Sequence, residues 1–272
     1  MSRVLAQVTN LTVRYMVNTT PAISALDNVS LSVWPGEVLA IVGESGSGKS
    51  TLTAALLRLL PPNAHCTGSM LFDGEDLLGM HERELQHVRG ARLSLIHQDP
   101  ASALNPVLRI RTQISEVLRA HLRMNPAERR VRVRELLSEV GFDDPERIAS
   151  SYAHQLSGGQ RQRVVVAQAI ACRPALIIAD ESTSKLDGLL QAEIMELLSG
   201  IVRRHGTALT WITHELATIA GFANRLAVMH AGQIVEEGPT LDLLRRPKHP
   251  YTQELIGLTR EQMLTSSRAA GQ

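Results

Sequence analysis

The sequence predicts an α/β fold with an antiparallel β portion near the N-terminus and a helical subdomain inserted into the core. Three observations carry this prediction. Segments with strand-like spacing of apolar residues alternate with segments of helical spacing along the chain. A glycine-rich stretch that ends in Lys-Ser lies between an apolar run at residues 38–42 and a helical run. A second apolar run, at residues 175–179, ends in two acids, which is typical of a strand buried in a parallel sheet.

Length and composition are those of a soluble globular protein. The chain has 272 residues, enough for one large domain or two small ones, of which 44% are hydrophobic and 20% charged. A net charge of +1 gives no bulk attraction to nucleic acid, and 3% aromatic residues disfavours a base-stacking surface, so we predict no nucleic-acid partner. We expect no membrane span and no secretory signal. Cys66 and Cys172 lie far apart, which predicts reduced thiols in a cytosolic protein.

The first 37 residues predict two strands. Residues 5–15 alternate loosely between apolar and polar, which we interpret as an exposed edge strand. A loop with Asn18 and Pro21 should follow, and the stricter alternation of residues 25–33 predicts the second strand. Pro35-Gly36 then marks a turn.

The glycine-rich stretch at residues 43–50 matches G-x-x-x-x-G-K-[ST], a phosphate-binding loop. Glycines let backbone N–H groups approach a polyphosphate, and the helix expected at residues 52–60, stopped by Pro61-Pro62, adds unpaired donors at its start. Lys49 can reach the β- and γ-phosphates, and the Ser50 hydroxyl can bind Mg²⁺. The alternative is a glycine-rich turn with a solvated lysine. The predicted nucleotide-binding residues are Gly43, Glu44, Ser45, Gly46, Ser47, Gly48, Lys49, Ser50 and Thr51.

The remaining elements follow from the same patterns. A helical block at about residues 105–155 predicts the inserted subdomain, with its many arginines on a solvated face. Strands are predicted at residues 68–74, ending in an Asp-Gly turn, and at 93–98, 175–181 and 208–214. Helices are predicted at residues 110–124, 126–140, 161–172 and 189–204, and a hairpin at 226–236.

Two acids at the end of the second apolar run are candidates for the reaction centre. In phosphate-loop NTPases an acid at the carboxyl end of a strand holds Mg²⁺, which is the role predicted for Asp180. Glu181 beside it could polarise the attacking water. The alternative is a strand end that merely meets solvent.

With Leu156-Ser157-Gly158-Gly159-Gln160 the chain resembles the ATP-binding subunit of an ABC transporter, whose signature this pentapeptide is. The resemblance implies that Ser157, Gly158, Gly159 and Gln160 bind the nucleotide of a second subunit, and it implies further roles. These are the Q-loop and a metal contact for Gln98, the D-loop for Asp187, the switch histidine for His214, and stacking on adenine for Tyr15. Taken singly, Gln98 could be a turn residue, His214 a strand-end histidine and Tyr15 a core residue.

A narrower resemblance points to the oligopeptide, dipeptide and nickel importer group. It rests on residues 43–50, on His154-Gln155 and on Pro247-Lys248-His249-Pro250-Tyr251-Thr252. It implies ATP and Mg²⁺ as cofactors, two membrane permeases, a second ATPase and, indirectly, an extracytoplasmic binding protein. The chain would then lie at the cytoplasmic side of the cell membrane as a peripheral protein. We expect an ATPase domain at residues 1–240, with the helical subdomain at about 100–152, and a C-terminal extension at 241–272.

The chain departs from the family at Ser182, where proline is usual, and at Lys185, where alanine is usual. Lys185 would place a charge in the subunit interface, so we expect a heterodimer with a different ATPase. No cysteine follows Cys172, so we expect no iron–sulfur cluster. The predicted function is ATP hydrolysis that energises import of peptides, nickel or a metal chelate. The alternative is a non-transport component or scaffold of a soluble complex.

Overall fold

A computed structural model describes residues 3–17, 20–97, 99–180 and 188–269, without the side chains of residues 17, 20–22 and 260–269. The chain divides into two compact units, residues 1–80 with 210–272 and residues 81–209. The strands are β1 (Ala6–Val17), β2 (Thr20–Val33), β3 (Val38–Val42), β4 (Ala64–Phe72), β5 (Glu75–Asp76), β6 (Leu93–Ile96), β7 (Leu176–Asp180), β8 (Ala208–Thr213), β9 (Arg225–His230) and β10 (Gln233–Pro239). The helices are α1 (Lys49–Leu56), α2 (Glu82–Val88), α3 (Pro100–Ala103), α4 (Ile110–His121), α5 (Pro126–Glu139), α6 (Pro145–Ser150), α7 (Gly158–Ala169), α8 (Gly188–His205), α9 (Thr240–Arg245) and α10 (Pro250–Ala269).

The first unit contains an antiparallel sheet with the strand order β2-β1-β4-β5. Val8 of β1 lies opposite Leu31 of β2 on one side and Met70 of β4 on the other. The prediction of an edge strand is therefore wrong. Its alternating pattern arises because one face of β1 is buried, as at Val8 and Val13, while the other is exposed, and that pattern is the same for an inner strand.

Two further details of this sheet differ from the predictions. Pro21 lies within β2, because the strand begins at Thr20, and Asn18 lies outside the described residues. The strand predicted at residues 68–74 begins at Ala64 instead. The predicted Asp-Gly turn is confirmed, since Asp73 and Gly74 have φ values of 51° and 83°, the left-handed pair that a tight hairpin requires.

The first unit also contains β3, whose five residues are all buried and which lies next to β9 in a second sheet. Parallel pairing places Val42 of β3 opposite Val228 of β9, and β9 pairs antiparallel with β10, which confirms the predicted hairpin. Because β3 and β9 are parallel, their carboxyl ends lie at the same edge. The loop after β3 and the turn after β9 therefore lie side by side.

Helix α1 ends earlier than predicted. Its last residue is Leu56, and Arg58 has a φ of 52°. The N–H of Leu59 donates to the carbonyl of Ala54 at 2.7 Å and that of Arg58 to Ala55 at 2.9 Å, which is the Schellman arrangement that ends a helix.

The second unit contains the predicted helices. α4 and α5 are confirmed with slightly shorter bounds, and α6 was not predicted. α5 begins with a capping box, in which Asn125 Oδ1 accepts from the N–H of Glu128 at 3.0 Å and the Glu128 carboxylate accepts from the N–H of Asn125 at 2.7 Å. Leu118 and Leu136 are fully buried in this unit.

The two predicted strands of the second unit, β6 and β7, are parallel, with Ile96 opposite Ala179. β8 begins in this unit and ends in the first. Helices α9 and α10, near the end of the chain, were not predicted. No helix of the described chain is both long and apolar enough to cross a bilayer.

Candidate functional site

The phosphate loop follows the carboxyl end of β3 and is closely surrounded by backbone. A Cβ at Gly43 would lie 2.1 Å from the carbonyl oxygen of Met229, so any side chain there would displace β9. Gly48 has a φ of 106°, and a Cβ there would lie 2.6 Å from the carbonyl oxygen of Ala25. Both positions therefore require glycine.

Lys49 is buried in this loop, with 5% of its surface exposed. Its ammonium group donates to the carbonyl oxygens of Gly43 and Glu44, each at 2.8 Å, and lies 3.4 Å from Oγ of Ser47. A buried cation needs such acceptors, because burial without them is costly. Lys49 is thus held at the loop, where an anionic group would meet it.

The start of α1 has the features of an anion-binding helix terminus. Gly48 is its N-cap and has no side chain to accept from the first-turn N–H groups. These groups and the positive end of the helix dipole can therefore serve an anion. Glu44, Ser45, Gly46 and Ser50 are exposed. The loop thus fits a polyphosphate, with Lys49 beneath it.

Tyr15, the residue predicted to stack on adenine, is half-buried on β1 in the same unit. Its hydroxyl oxygen lies 3.3 Å from Oγ1 of Thr51 in the first turn of α1. The structure therefore brings Tyr15 next to the phosphate-loop helix. Its contact with adenine stays a prediction.

His214, the predicted switch histidine, also belongs to the first unit. It is exposed and directly follows Thr213, the last residue of β8. The turn around it is closed by a hydrogen bond of 3.0 Å, in which the N–H of Glu215 donates to Oγ1 of Thr213. This position at a strand end is the one predicted, and the role of His214 as a γ-phosphate sensor stays a prediction.

The signature residues lie in the second unit, at the start of α7. Ser157 is the N-cap, and its hydroxyl accepts from the N–H of Gln160 at 3.3 Å, while Gln160 Oε1 accepts from the N–H of Ser157 at 3.1 Å. Gly159 is buried, and a Cβ there would lie 2.5 Å from Cδ1 of Leu190. Apart from its chain neighbours and the backbone of its own helix, no other atom of the described residues lies within 4 Å of a Cβ built on Gly158. The signature thus forms a capped helix start with one open glycine.

Asp180, the predicted metal ligand, is half-buried at the carboxyl end of β7. The other predicted site residues of the second unit, Gln98, Glu181 and Asp187, lie outside the described residues, as do Ser182 and Lys185. Their roles stay predictions.

The sequence profile of the family described as ABC transporter matches residues 26–184, which is more than half of the chain. The chain belongs to the ABC transporter family. This confirms the resemblance stated from the signature residues.

Two curated relatives of this ABC family chain are named for transport. The peptidoglycan transport ATP-binding protein YejF of Agrobacterium fabrum is 47% identical over 85% of this chain and 43% of the relative. The dipeptide transport ATP-binding protein DppD of Haemophilus influenzae is 46% identical over 93% of this chain and 76% of the relative. The chain therefore spans less than half the length of the first and about three quarters of the second.

A solved structure confirms the fold class of the ABC family chain. The ATP-binding cassette MJ0796, in a dimeric post-hydrolysis state bound to ADP and Pi, is 31% identical, with a TM-score of 0.76 over 86% of this chain and 98% of that chain. The predicted α/β class with an antiparallel portion is therefore confirmed, since this chain has both antiparallel and parallel strand pairs.

One residue that touches the phosphate loop of this ABC family chain has no role predicted from the sequence. The hydroxyl of Tyr251, in the first turn of α10, accepts from the backbone N–H of Glu44 at 3.1 Å. Tyr251 belongs to the motif at residues 247–252 on which the resemblance to the importer group rests. Nothing in its local pattern indicates a contact with a loop 207 residues earlier.

Proposed function

We propose that this chain is the ATP-hydrolysing subunit of an ABC importer for peptides. The observation that carries the proposal is the phosphate loop, in which a buried Lys49 is held by two loop carbonyls beneath an uncapped helix start. The substrate class is supported by the names of two relatives, a dipeptide and a peptidoglycan transport ATP-binding protein. Nickel or a metal chelate is the second substrate class within the importer group.

ATP would bind with its phosphates on the loop of the first unit. Lys49 and the first-turn N–H groups of α1 would neutralise the β- and γ-phosphates. Tyr15 would stack on adenine, because its ring lies on β1 and its hydroxyl reaches the same helix turn at Thr51.

Mg²⁺ would supply charge neutralisation at the phosphates when bound. Ser50, Gln98 and Asp180 would hold it, since hydroxyl, amide and carboxylate oxygens are the donors that this ion prefers. The Ser50 hydroxyl is exposed on the first turn of α1, as such a contact requires.

Glu181 would orient or deprotonate the attacking water, and His214 would detect the γ-phosphate from its exposed position after β8. Little covalent chemistry is required of the protein in phosphoryl transfer, so catalysis rests on positioning and electrostatics. The protein residues therefore act mainly by holding the phosphates and the water in place.

The signature would act on the ATP of a second subunit. Residues 157–160 form a helix start in the second unit, and Asp187 of the D-loop would cross the interface between subunits. Two ATPase subunits arranged head to tail would close over two ATP molecules and drive two permeases at the cytoplasmic side of the membrane. We propose residues 1–240 as the ATPase domain, with a helical subdomain at about 100–152, and residues 241–272 as its C-terminal extension.

The experiment is co-expression of the chain with the two permeases and the second ATPase of a peptide importer, followed by membrane fractionation. We expect the chain in the membrane fraction only when the permeases are present, with ATP turnover that a transported peptide stimulates. Glu181→Gln should bind ATP but turn over at least ~100-fold more slowly. Recovery in the soluble fraction under both conditions would contradict the proposal and favour the scaffold alternative.

A further inference from the structure

One peptide group of the phosphate loop is held from both sides. The carbonyl of the Gly43–Glu44 peptide accepts from the Lys49 ammonium at 2.8 Å, and the N–H of the same peptide donates to the Tyr251 hydroxyl at 3.1 Å. Because a peptide group is planar, fixing its N–H also fixes the direction of its carbonyl. Tyr251 therefore sets the orientation of one acceptor that holds Lys49.

Tyr251 is itself rigidly placed. It is 8% exposed, and its ring centroid lies 3.9 Å from that of His230, the last residue of β9. Its backbone N–H donates to Nδ1 of His249 at 3.2 Å. The N–H groups of Lys248 and His249 in turn donate to the Glu236 carboxylate on β10, at 2.9 Å and 3.0 Å. The segment before α10 is thus tied to the β9–β10 hairpin.

The same hairpin contacts the phosphate loop at a second point. The N–H of Gly232, in the turn between β9 and β10, donates to the carbonyl of Ser47 at 2.9 Å. The loop is therefore fixed near each end, at Ser47 directly by the hairpin and at Glu44 through Tyr251. α10, which contains Tyr251 in its first turn, also packs on Leu216–Thr218, the short helical turn after His214.

We propose that Tyr251 is a positioning residue for ATP binding, which acts through the Gly43–Glu44 peptide on Lys49. The inference rests on the proposed function, because it assumes that Lys49 binds the phosphates of ATP. Without the Tyr251 hydroxyl, the N–H of Glu44 loses this acceptor, and the peptide is no longer held at its N–H side. Lys49 then loses the fixed carbonyl of Gly43 and occupies a wider range of positions.

The test uses the full chain and calorimetric titration with Mg-ATP, which measures both Kd and the number of binding sites per chain. Tyr251→Phe keeps the ring that packs on His230 and removes only the hydroxyl. Tyr152→Phe is the matched control, because it removes a hydroxyl from a half-buried ring, stacked on His154, in the other unit. Lys49→Ala is the reference for loss of the phosphate contact.

We expect Tyr251→Phe to raise the Kd of ATP roughly 2- to 12-fold, the effect of one neutral hydrogen bond, with the number of sites unchanged. Tyr152→Phe should keep the Kd of the parent chain. A purely structural role for Tyr251 would reduce the number of sites and leave the Kd of the remaining sites unchanged, so that outcome overturns the inference. If Tyr251→Phe binds ATP with the Kd of the parent chain while Lys49→Ala binds more weakly, the inference is overturned and the proposed function stands. No ATP binding by the parent chain overturns the proposed function and the inference together.

Discussion

The hydroxyl oxygen of Tyr15 lies 3.3 Å from Oγ1 of Thr51, so an antiparallel strand contacts the first turn of the phosphate-loop helix. Thr51 comes two residues after Lys49, and either hydroxyl can donate in this contact. The half-buried Tyr15 ring thus lies beside the loop that would bind the phosphates. An adenine attached to those phosphates would then lie within reach of an aromatic ring.

Two replacements of Tyr15 test the contributions of the ring and of the hydroxyl separately. Tyr15→Ala should weaken ATP binding by about 1–3 kcal/mol, or roughly 5- to 150-fold, because base–aromatic stacking is lost. Tyr15→Phe keeps the ring and should stay close to the parent chain. The measurement is titration with ATP and, as a control, with inorganic triphosphate, which has no base and should bind equally to all three. Equal ATP affinity of Tyr15→Ala and the parent chain would exclude stacking.

Lys49→Ala should abolish ATP binding or hydrolysis and keep the fold. The ammonium group donates to the carbonyls of Gly43 and Glu44 and lies near the hydroxyl of Ser47, all of them in the loop. Circular dichroism and thermal unfolding check the fold, and titration and an ATPase assay check the site. Normal turnover in this variant would show that the loop is not the nucleotide site.

The loop and its flanking elements could be predicted because the information is local. Five apolar residues, a glycine-rich turn and a helical run follow each other along the chain, and the structure has β3, the loop and α1 in that order. The hairpin at Gly232 was equally local. What sequence reasoning could not supply is the reason for Gly43, because the carbonyl of Met229 that crowds it comes from a distant strand.

The wrong prediction for β1 and the unpredicted contact of Tyr251 both have their cause in long-range contacts. β1 was predicted at a sheet edge, because alternation reports which face is buried and does not report how many neighbours a strand has. The contact of Tyr251 with Glu44 has no local signal in the sequence, because it joins residues 207 positions apart. In both cases the decisive partner is fixed by the topology and has no signature near the residue itself.

The lowered pKa of Glu236 should make the free energy of unfolding depend on pH in the acidic range. Burial raises the pKa of this carboxyl, but hydrogen bonds from the N–H groups of Lys248 and His249 oppose it, and the net pKa is below its ordinary value. A lowered pKa in the folded state gives stability that is present above the unfolded pKa, about 4.3, and is lost as the pH falls toward the folded pKa.

Glu236→Gln should therefore flatten the loss of stability on acidification from about pH 6 to about pH 3. Urea unfolding at several pH values measures it. Glu254→Gln, at an exposed position of α10, is the control and should follow the parent chain. If Glu236→Gln and the parent chain lose stability in parallel, the hydrogen bonds to this carboxylate do not contribute.

Lys185, which lies outside the described residues, should disfavour a homodimer. Two copies of this chain would bring two ammonium groups into one interface, and like charges in a desolvated contact are unfavourable. We expect ATP-dependent association with a second ATPase and little self-association. In sedimentation, Lys185→Ala should self-associate more strongly than the parent chain. Tight, fully active homodimers of the parent chain would contradict the heterodimer.

Gly158 offers a test of the signature that separates stability from activity. A Cβ built at this exposed position has no other atom of the described residues within 4 Å apart from its chain neighbours and its own helix backbone, whereas a Cβ at Gly159 would collide with Leu190. Gly158→Ala should therefore keep the fold and raise stability by about 0.4–1 kcal/mol, because the unfolded chain loses freedom.

Activity should change in the opposite direction. If the ATP of a partner subunit approaches the start of α7, the added methyl group of Gly158→Ala occupies the space that the γ-phosphate needs. Turnover of the assembled transporter should then fall about 10- to 100-fold, since a small displacement of the reacting groups has effects of this size. ATP binding to the isolated chain should not change, because this chain's own phosphate loop is intact. Thermal unfolding, ATP titration and turnover with the partner subunits measure the three effects. A more stable variant with undiminished turnover would show that the signature does not approach the nucleotide of the partner.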